Sequence, residues 1–359
     1  MDVADDTTSA EPLLTVADYE RAALARMSPE ALGYIGGGAG DEVTLADNVA
    51  AWSRLALRPR MLVGAGDCDP GVDVLGARRP HPLIAAPTAF QRLVHPDGEL
   101  GTARAAAATG AVMCVSTFAS TGAAAVAEAV PESTRWFQLY VLTDRGATRE
   151  MIHAAARSGY EALVVTVDRP VLGVRERELR TQFRDPAPGT PAAITTDLVD
   201  PDLRWNDIAE LTDASDLPLL IKGVMTPEDA ELAIEHGVAG VIVSNHGGRQ
   251  LDGVLSGADA LAPIVDAVDG RIDVLVDGGI RRGTDVVKAL ALGARAVLVG
   301  RPLTWGLAVA GGDGAQRVLE ILLAEVINAL ALVGCPRATD LHRGFVTAAP
   351  WAGPAGPGR

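Results

Sequence analysis

Apolar residues in this chain gather in short continuous runs and seldom alternate with polar ones. Eight such runs, rich in Val, Ile, Leu and Ala, begin near Leu83, Ala111, Trp136, Ala162, Leu219, Gly240, Val274 and Ala296. A strand that is apolar on both faces is buried on both faces, the habit of a parallel sheet covered by helices. Alanine-rich stretches of helical length lie between the runs. Gly110, Gly159, Gly237 and Gly293 each close one just before a strand. Successive strands start mostly about 20–35 residues apart, the size of one βα unit. Eight units predict an α/β fold, a (β/α)8 TIM barrel. An open dinucleotide-binding sheet would want Gly-x-Gly-x-x-Gly after its first strand. Here that strand ends Ala86-Pro87-Thr88-Ala89.

The spacing breaks once. Between Val167 and Leu219 there is room for an insertion, and Pro186, Pro188, Gly189, Pro191 and Pro201 fall inside it. This predicts a lid at the barrel mouth over about residues 176–204; an inert surface excursion is the alternative. Ahead of the barrel, 16–27, 29–35 and 41–54 read as helices. Residues 1–76 are therefore expected as a helical cap, 77–345 as the barrel, and the Pro-, Gly- and Ala-rich 346–359 as a flexible tail.

Composition narrows the function. The 359 residues are 48% hydrophobic and 21% charged, with a formal net charge of −15. A core of domain size is available, and a nucleic-acid or anionic-membrane surface is disfavoured. Any anionic ligand must be caught by local arginines. Cys68, Cys114 and Cys335 fit neither a disulfide framework nor a metal-ligand spacing, so no metal is expected. Residues 1–12 lack the basic and apolar regions of a signal peptide, and no apolar run would span a bilayer. These features predict a cytoplasmic protein.

The polar residues are phased. Barrel enzymes carry their chemistry at strand C-terminal ends. Those positions here hold Thr88 and Gln91, Ser116, Gln138 and Tyr140, Thr166 and Asp168, Lys222, His246 and Arg249, Asp277, and Arg301. His246 and Arg249 flank two glycines just beyond the sixth strand, a base beside a fixed cation. Alone, the segment would equally suit a polar turn; the phasing favours chemistry. Glycines and arginines after the last two strands (Gly279 and Arg281, then Gly300 and Arg301) suit a phosphate. Lys222, at the end of an apolar run, could form a Schiff base, pair with an anionic ring, or simply snorkel. Asp168 could orient His246. Arg175 could clamp a carboxylate, or pair with the neighbouring Glu176 and Glu178.

Taken together, these stretches resemble the FMN-dependent α-hydroxy-acid oxidases and dehydrogenases, a family that includes glycolate and lactate oxidases and mandelate dehydrogenase. The resemblance rests on Tyr34 with Gly38, 86–89, 95–99, 137–140, Thr166-Val167-Asp168, 172–176, Ile221-Lys222-Gly223, Ser244 to Asp252, 277–283, and Gly300-Arg301-Pro302. It spans nearly the whole chain, and the block from Ser244 to Asp252 is its most specific part. It implies FMN as cofactor, a 2-hydroxy acid as substrate, O2 as acceptor, and a homotetramer. His246 would be the base and Asp168 its support. Arg249 and Arg175 would bind the substrate carboxylate. Tyr34 and Tyr140 would hydrogen-bond the carboxylate and hydroxyl. Phe118 would face the substrate side chain. Ser116, Gln138 and Thr166 would bind the isoalloxazine edge, with the Thr88-Ala89 backbone near N5. Lys222 would stabilise reduced flavin, beside Ser244. Asp277 would hold the ribityl chain, and Gly279, Arg281, Gly300 and Arg301 the phosphate.

The chain departs from the commonest pattern at Ile35, where many relatives have a second aromatic, at Phe118, where many have Trp, and in its shorter lid. The runs 91–96 and 136–139 look closest to the hydroxymandelate oxidase branch, which points to a bulky or aromatic side chain on the substrate. A dehydrogenase with a quinone or similar acceptor is the alternative. A non-redox FMN barrel and a flavin-binding protein are more distant ones.

Overall fold

The computed structural model describes residues 12–183 and 198–351. The expected lid lies largely outside them. Its described portions are a helix at Glu176–Arg180 and the residues from Leu198, whose neighbour Val199 bridges to Leu142.

Three short strands precede the barrel: β1 (Leu55–Leu57), β2 (Val72–Val74) and β3 (Ala77–Arg79), with β2 and β3 paired as a hairpin. The barrel then follows as β4 (Leu83–Ala85), β5 (Val112–Ser116), β6 (Thr134–Leu139), β7 (Ala162–Thr166), β8 (Leu219–Val224), β9 (Gly240–Val243), β10 (Asp273–Asp277) and β11 (Val297–Val299). Each strand pairs in parallel with the next, and β11 closes on β4. Every expected strand is present within two residues of its expected start. The register is fixed by burial: β5, β7 and β9 are buried at every position.

Ahead of the barrel, Thr15 caps the helix Val16–Leu24 with a capping box, and Ser28 caps the turn Pro29–Ala31. Leu32–Gly36 winds into a π-turn, the device that turns Tyr34 toward the barrel mouth. The helix Val43–Ser53 then lies across the loops after β9 and β10. Asn48 and Asn245 exchange amide hydrogen bonds of 2.9 and 2.8 Å, and Trp52 donates to the Gly278 carbonyl at 2.9 Å. The hairpin β2–β3 turns through Leu75 and Gly76, both at positive φ, and its Leu75 N–H reaches the Asp273 carboxylate at the opposite, N-terminal end of the barrel.

The tail expected from residue 346 needs correction. β12 (Val346–Ala348) pairs antiparallel with β1, Leu57 opposite Val346. A three-residue strand carries no local periodicity, and its partner is almost the whole chain away, so composition alone misread it. Residues 352–359 lie outside the described part.

Candidate active site

The C-terminal strand ends enclose one cavity of about 180 Å³. Its wall takes in Tyr34, Thr88, Ala89, Ser116, Phe118, Gln138, Tyr140, Thr166, Arg175, Lys222, His246, Arg249, Gly279, Asp277, Arg281, Gly300 and Arg301. Nearly all the residues singled out from sequence therefore meet in one place. Asp168 and Ser244 stand just behind the wall, each bonded to a residue in it.

His246 has a left-handed backbone, φ 58°, and Gly247 and Gly248 follow in the same region. This reversal turns the imidazole back over the strand ends. A Cβ on Gly248 would come within 2.6 Å of the Leu45 backbone nitrogen, so the turn also admits the N-terminal helix. His246 Nδ1 lies 2.8 Å from Asp168 Oδ1. With an ionised Asp168 as acceptor, Nδ1 carries the proton and Nε2 keeps its lone pair. Burial lowers the imidazolium pKa below its ordinary value, although the Asp168 carboxylate pulls the other way. The Asp168 pKa is itself held down: burial raises it, but His246 and Lys222 outweigh that. At neutral pH the site thus holds a neutral base on an ionised support.

Lys222 is 5% exposed. Its Nζ donates to Ser244 Oγ at 2.6 Å and lies 3.0 Å from Asp277 Oδ2. Burial alone would lower its pKa; the Asp277 and Asp168 carboxylates more than compensate and hold it up. Lys222 is a fixed cation here, which disfavours the Schiff-base reading.

Three arginines crowd the opposite side. Burial and repulsion from Arg175 push Arg249 down to about 10, burial and repulsion from Arg249 and Arg281 push Arg301 down to about 9, and burial lowers Arg281 as well. Such a cluster calls for anions. Glu178, one of the two neighbours with which Arg175 was expected to pair if it did not clamp substrate, supplies part of the charge, lying 3.4 Å from Arg175 and 3.7 Å from Arg249. Arg249 also donates to the Tyr34 carbonyl and lies over the Tyr34 ring. Two of the expected clamps are differently engaged. Arg175 gives Nε to the Arg249 carbonyl and Nη2 to Gln250. Arg301 spends its guanidinium on the carbonyls of Ile35, Gly247 and Gly37. Both stay in the cavity wall, but Arg301 ties the N-terminal segment to the barrel as much as it offers charge.

The residues present fit a flavin nucleotide. Gln138 Nε2, Thr166 Oγ1 and Asp277 Oδ1 are buried polar atoms with no protein partner, on three separate strand ends. Gln138 Oε1 is by contrast fully engaged by Ser116 and the Thr117 N–H. Orphan atoms of this kind need a ligand with donors and acceptors along one edge. The glycines after β10 and β11 leave backbone open beside Arg281, and Gly279 can carry no side chain because a Cβ would fall 1.7 Å from the Asn48 carbonyl oxygen.

Sequence reasoning missed an arc of rings. Tyr34 stacks on Phe183 at 4.4 Å and lies 5.7 Å from Phe90; Phe90 is 6.2 Å from Phe118, and Phe118 is 5.1 Å from Tyr140. Phe90 has φ 55°, a conformation no local signal announces. Glu99, wholly buried, accepts N–H bonds from Gln91, Ser120 and Thr121, which ties together the loops bearing Phe90 and Phe118. Arg169 was also missed; it lies against Phe118 and Tyr140.

A parallel barrel with a flavin-shaped set of donors beside a His–Asp pair and paired arginines defines a flavin-dependent oxidoreductase. Residues 23–348 match the FMN-dependent dehydrogenase family, and the chain belongs to it. It is similar to an L-lactate oxidase from Nostoc sp., 45% identical over 92% of this chain and 96% of the relative. It is also similar to human 2-hydroxyacid oxidase 1, 42% identical over 95% and 98%. Among solved structures, mandelate oxidase with benzoyl-formic acid superposes with a TM-score of 0.88 at 41% identity, covering 94% of this chain and 99% of that one. Among the described residues no helix is long and apolar enough to cross a membrane.

Proposed function

We propose that the protein oxidises an (S)-2-hydroxy acid with an aryl or similarly bulky side chain to the 2-oxo acid, with O2 as final acceptor and hydrogen peroxide as product. One observation carries this reading: a neutral His246, oriented by Asp168, faces the same cavity as Arg249, Arg175 and the flavin-shaped donor set. Similarity to lactate, 2-hydroxyacid and mandelate oxidases supports it.

FMN, when bound, supplies the two-electron acceptor. Gln138, Thr166 and Ser116 would hold its ring edge, Thr88 and Ala89 would lie beside it, and Asp277 would take a ribityl hydroxyl. Gly279, Arg281, Gly300 and Arg301 would meet the phosphate. Lys222, kept cationic by Asp277, would favour negative charge on the ring, with Ser244 fixing its ammonium. On the substrate side, Arg249 and Arg175 would bind the carboxylate in place of Glu178. Tyr34 and Tyr140 would orient carboxylate and hydroxyl. His246 Nε2 would take the proton from the Cα–OH unit, and Asp168 would stabilise the imidazolium. In a carbanion route Nε2 would take the Cα proton, and in a hydride route it would take the hydroxyl proton; both need the same unprotonated nitrogen.

The aryl preference is supported by where the aromatic residues are spent. Of the chain's five Phe and four Tyr, three Phe and two Tyr lie in the arc around the cavity. We also propose a cytoplasmic location, on the chain's acidic charge and unpaired cysteines, and a homotetramer, which the family resemblance implies. The test is anaerobic flavin bleaching by a panel of 2-hydroxy acids, then reoxidation in air with peroxide assay. Faster bleaching by 2-hydroxypropanoate than by mandelate would remove the aryl reading. Reoxidation that needs a quinone would make the protein a dehydrogenase.

A further inference from the structure

Gln250 lies in the most specific block of the sequence, directly after Arg249. Its side-chain amide is fully engaged. Oε1 accepts from Arg175 Nη2 at 2.9 Å and from the Gly173 N–H at 3.2 Å. Nε2 donates to the backbone carbonyls of Asp168 at 3.0 Å and Val171 at 2.9 Å. Two donors on one side and two carbonyls on the other fix which end of the amide is oxygen, and a primary amide has no further capacity.

All four partners lie on one segment. Asp168 to Arg175 forms neither helix nor strand, so its shape is set by what it leans on. It leans on the turn after β9. A Cβ on Gly173 would fall 2.6 Å from the Gln250 carbonyl oxygen and 2.7 Å from that of Arg249, and Arg175 Nε donates to the Arg249 carbonyl at 2.9 Å. Both ends of the segment carry chemistry. Asp168 holds His246 Nδ1 at 2.8 Å, and Arg175 Nη1 faces Glu178 at 3.4 Å, where the substrate carboxylate is proposed to sit. One amide therefore bonds the residue behind the base and the cation that meets the substrate.

We propose that Gln250 is a positioning residue that holds Asp168 and Arg175 in one frame, so that the direction of the base and the place of the substrate carboxylate are set together. Proton transfer depends steeply on such a frame, since a misplacement of about 1 Å can cost about 100-fold in rate. The inference rests on the roles proposed above for Arg175 and for the His246–Asp168 pair, and goes beyond them by assigning what keeps the two in register. A mere tether would stabilise the segment with neither chemical consequence.

The test uses the FMN-loaded enzyme, the fastest 2-hydroxy acid of the panel above and its 2-oxo acid. The dissociation constant of the 2-oxo acid, followed by its perturbation of the flavin absorbance, reads the carboxylate clamp without turnover. The limiting rate of anaerobic flavin reduction reads the base. Gln250→Met should raise the constant and lower the rate, each by about 10-fold or more, the scale of a hydrogen bond to a charged group. Its effect on the constant should shrink on an Arg175→Met background, and its effect on the rate on an Asp168→Asn background, because it acts through those residues. Thermal melts and FMN content are measured in parallel. Should Gln250→Met not load FMN, Gln250→Asn, which keeps the amide but draws it back by one carbon, carries the same readouts. A lowered melting temperature with both readouts near wild type would make Gln250 a tether and overturn the proposal. A change confined to one readout, or an undiminished effect on the Arg175→Met background, overturns it equally. Wild-type binding by Arg175→Met alone strikes the clamp reading and the proposal with it, whereas weakened binding there beside an unchanged Gln250→Met strikes the proposal alone.

Discussion

Replacing Asp168 by Asn removes one negative charge and little volume from behind His246. The carboxylate accepts from Nδ1 at 2.8 Å. When His246 takes a proton, a full positive charge forms opposite it. Charge centres about 4 Å apart at an effective dielectric of about 20 attract by about 4 kcal/mol. At about 1.4 kcal/mol per decade, that is on the order of a 10³-fold loss in the flavin-reduction rate. The Asn amide adds a second fault, since its N–H can donate to Nδ1 and send the imidazole proton to Nε2, the atom that must accept. The assay is anaerobic stopped-flow bleaching of the flavin at saturating mandelate from pH 5 to 9, with FMN content measured in parallel. The sign of the pH effect follows from the same geometry. Burial already lowers the His246 pKa from 6.5, while Asp168 pulls it upward. Without Asp168 it falls further, so the acid limb of the profile should move to lower pH even as the plateau drops. A loss smaller than about tenfold, below the usual contribution of a positioned base, or an acid limb displaced to higher pH, would refute the role assigned to Asp168.

Other substitutions probe the rest of the site. Lys222→Met strands the buried Asp277 carboxylate and should cost about 3–5 kcal/mol in denaturant melts; adding Asp277→Asn should recover stability without restoring flavin reduction. Arg249→Met should raise KM and lower kcat together, as expected of a cation that binds both substrate and transition state. Glu178→Gln removes the carboxylate between Arg175 and Arg249 and should lower KM by about 3- to 10-fold, since one charged competitor is gone; an unchanged KM would mean Glu178 leaves the arginines free already. Gly248→Ala forces a side chain at φ 74° against Leu45 and should cost about 1–3 kcal/mol, and a thermal melt identical to wild type would refute the clasp between the turn and the N-terminal helix.

The barrel was legible because its signals are local. Apolar runs buried on both faces and glycine-closed helices at a steady spacing need no knowledge of distant contacts. The polar strand ends were legible for the same reason, because a parallel barrel sends every C-terminal end to one mouth. His246, Lys222 and Asp277 could therefore be brought to one cavity on paper. The two-residue promise of Gly247 and Gly248 was visible too, though its purpose, admitting Leu45, was not.

Other features depended on partners far along the chain. β12 exists because Leu55–Leu57 offers an edge, and Tyr34 enters the site through a π-turn that Arg249 and Arg301 hold by its carbonyls. Arg301 was expected on phosphate, and the fold engages its side chain with three backbone oxygens as well. Phe90 and Arg169 had no motif to mark them, and Glu178 was marked only as a neighbour of Arg175. Sequence by itself determined the eight barrel strands and the phasing of polar groups, since both follow from short-range pattern, and the resemblance carried by those stretches implied the reaction class. Tertiary structure alone decided that Arg249 joins Arg175 at Glu178, which rings line the substrate side, and where Arg169 stands, because those choices are made by packing between segments that no local propensity relates.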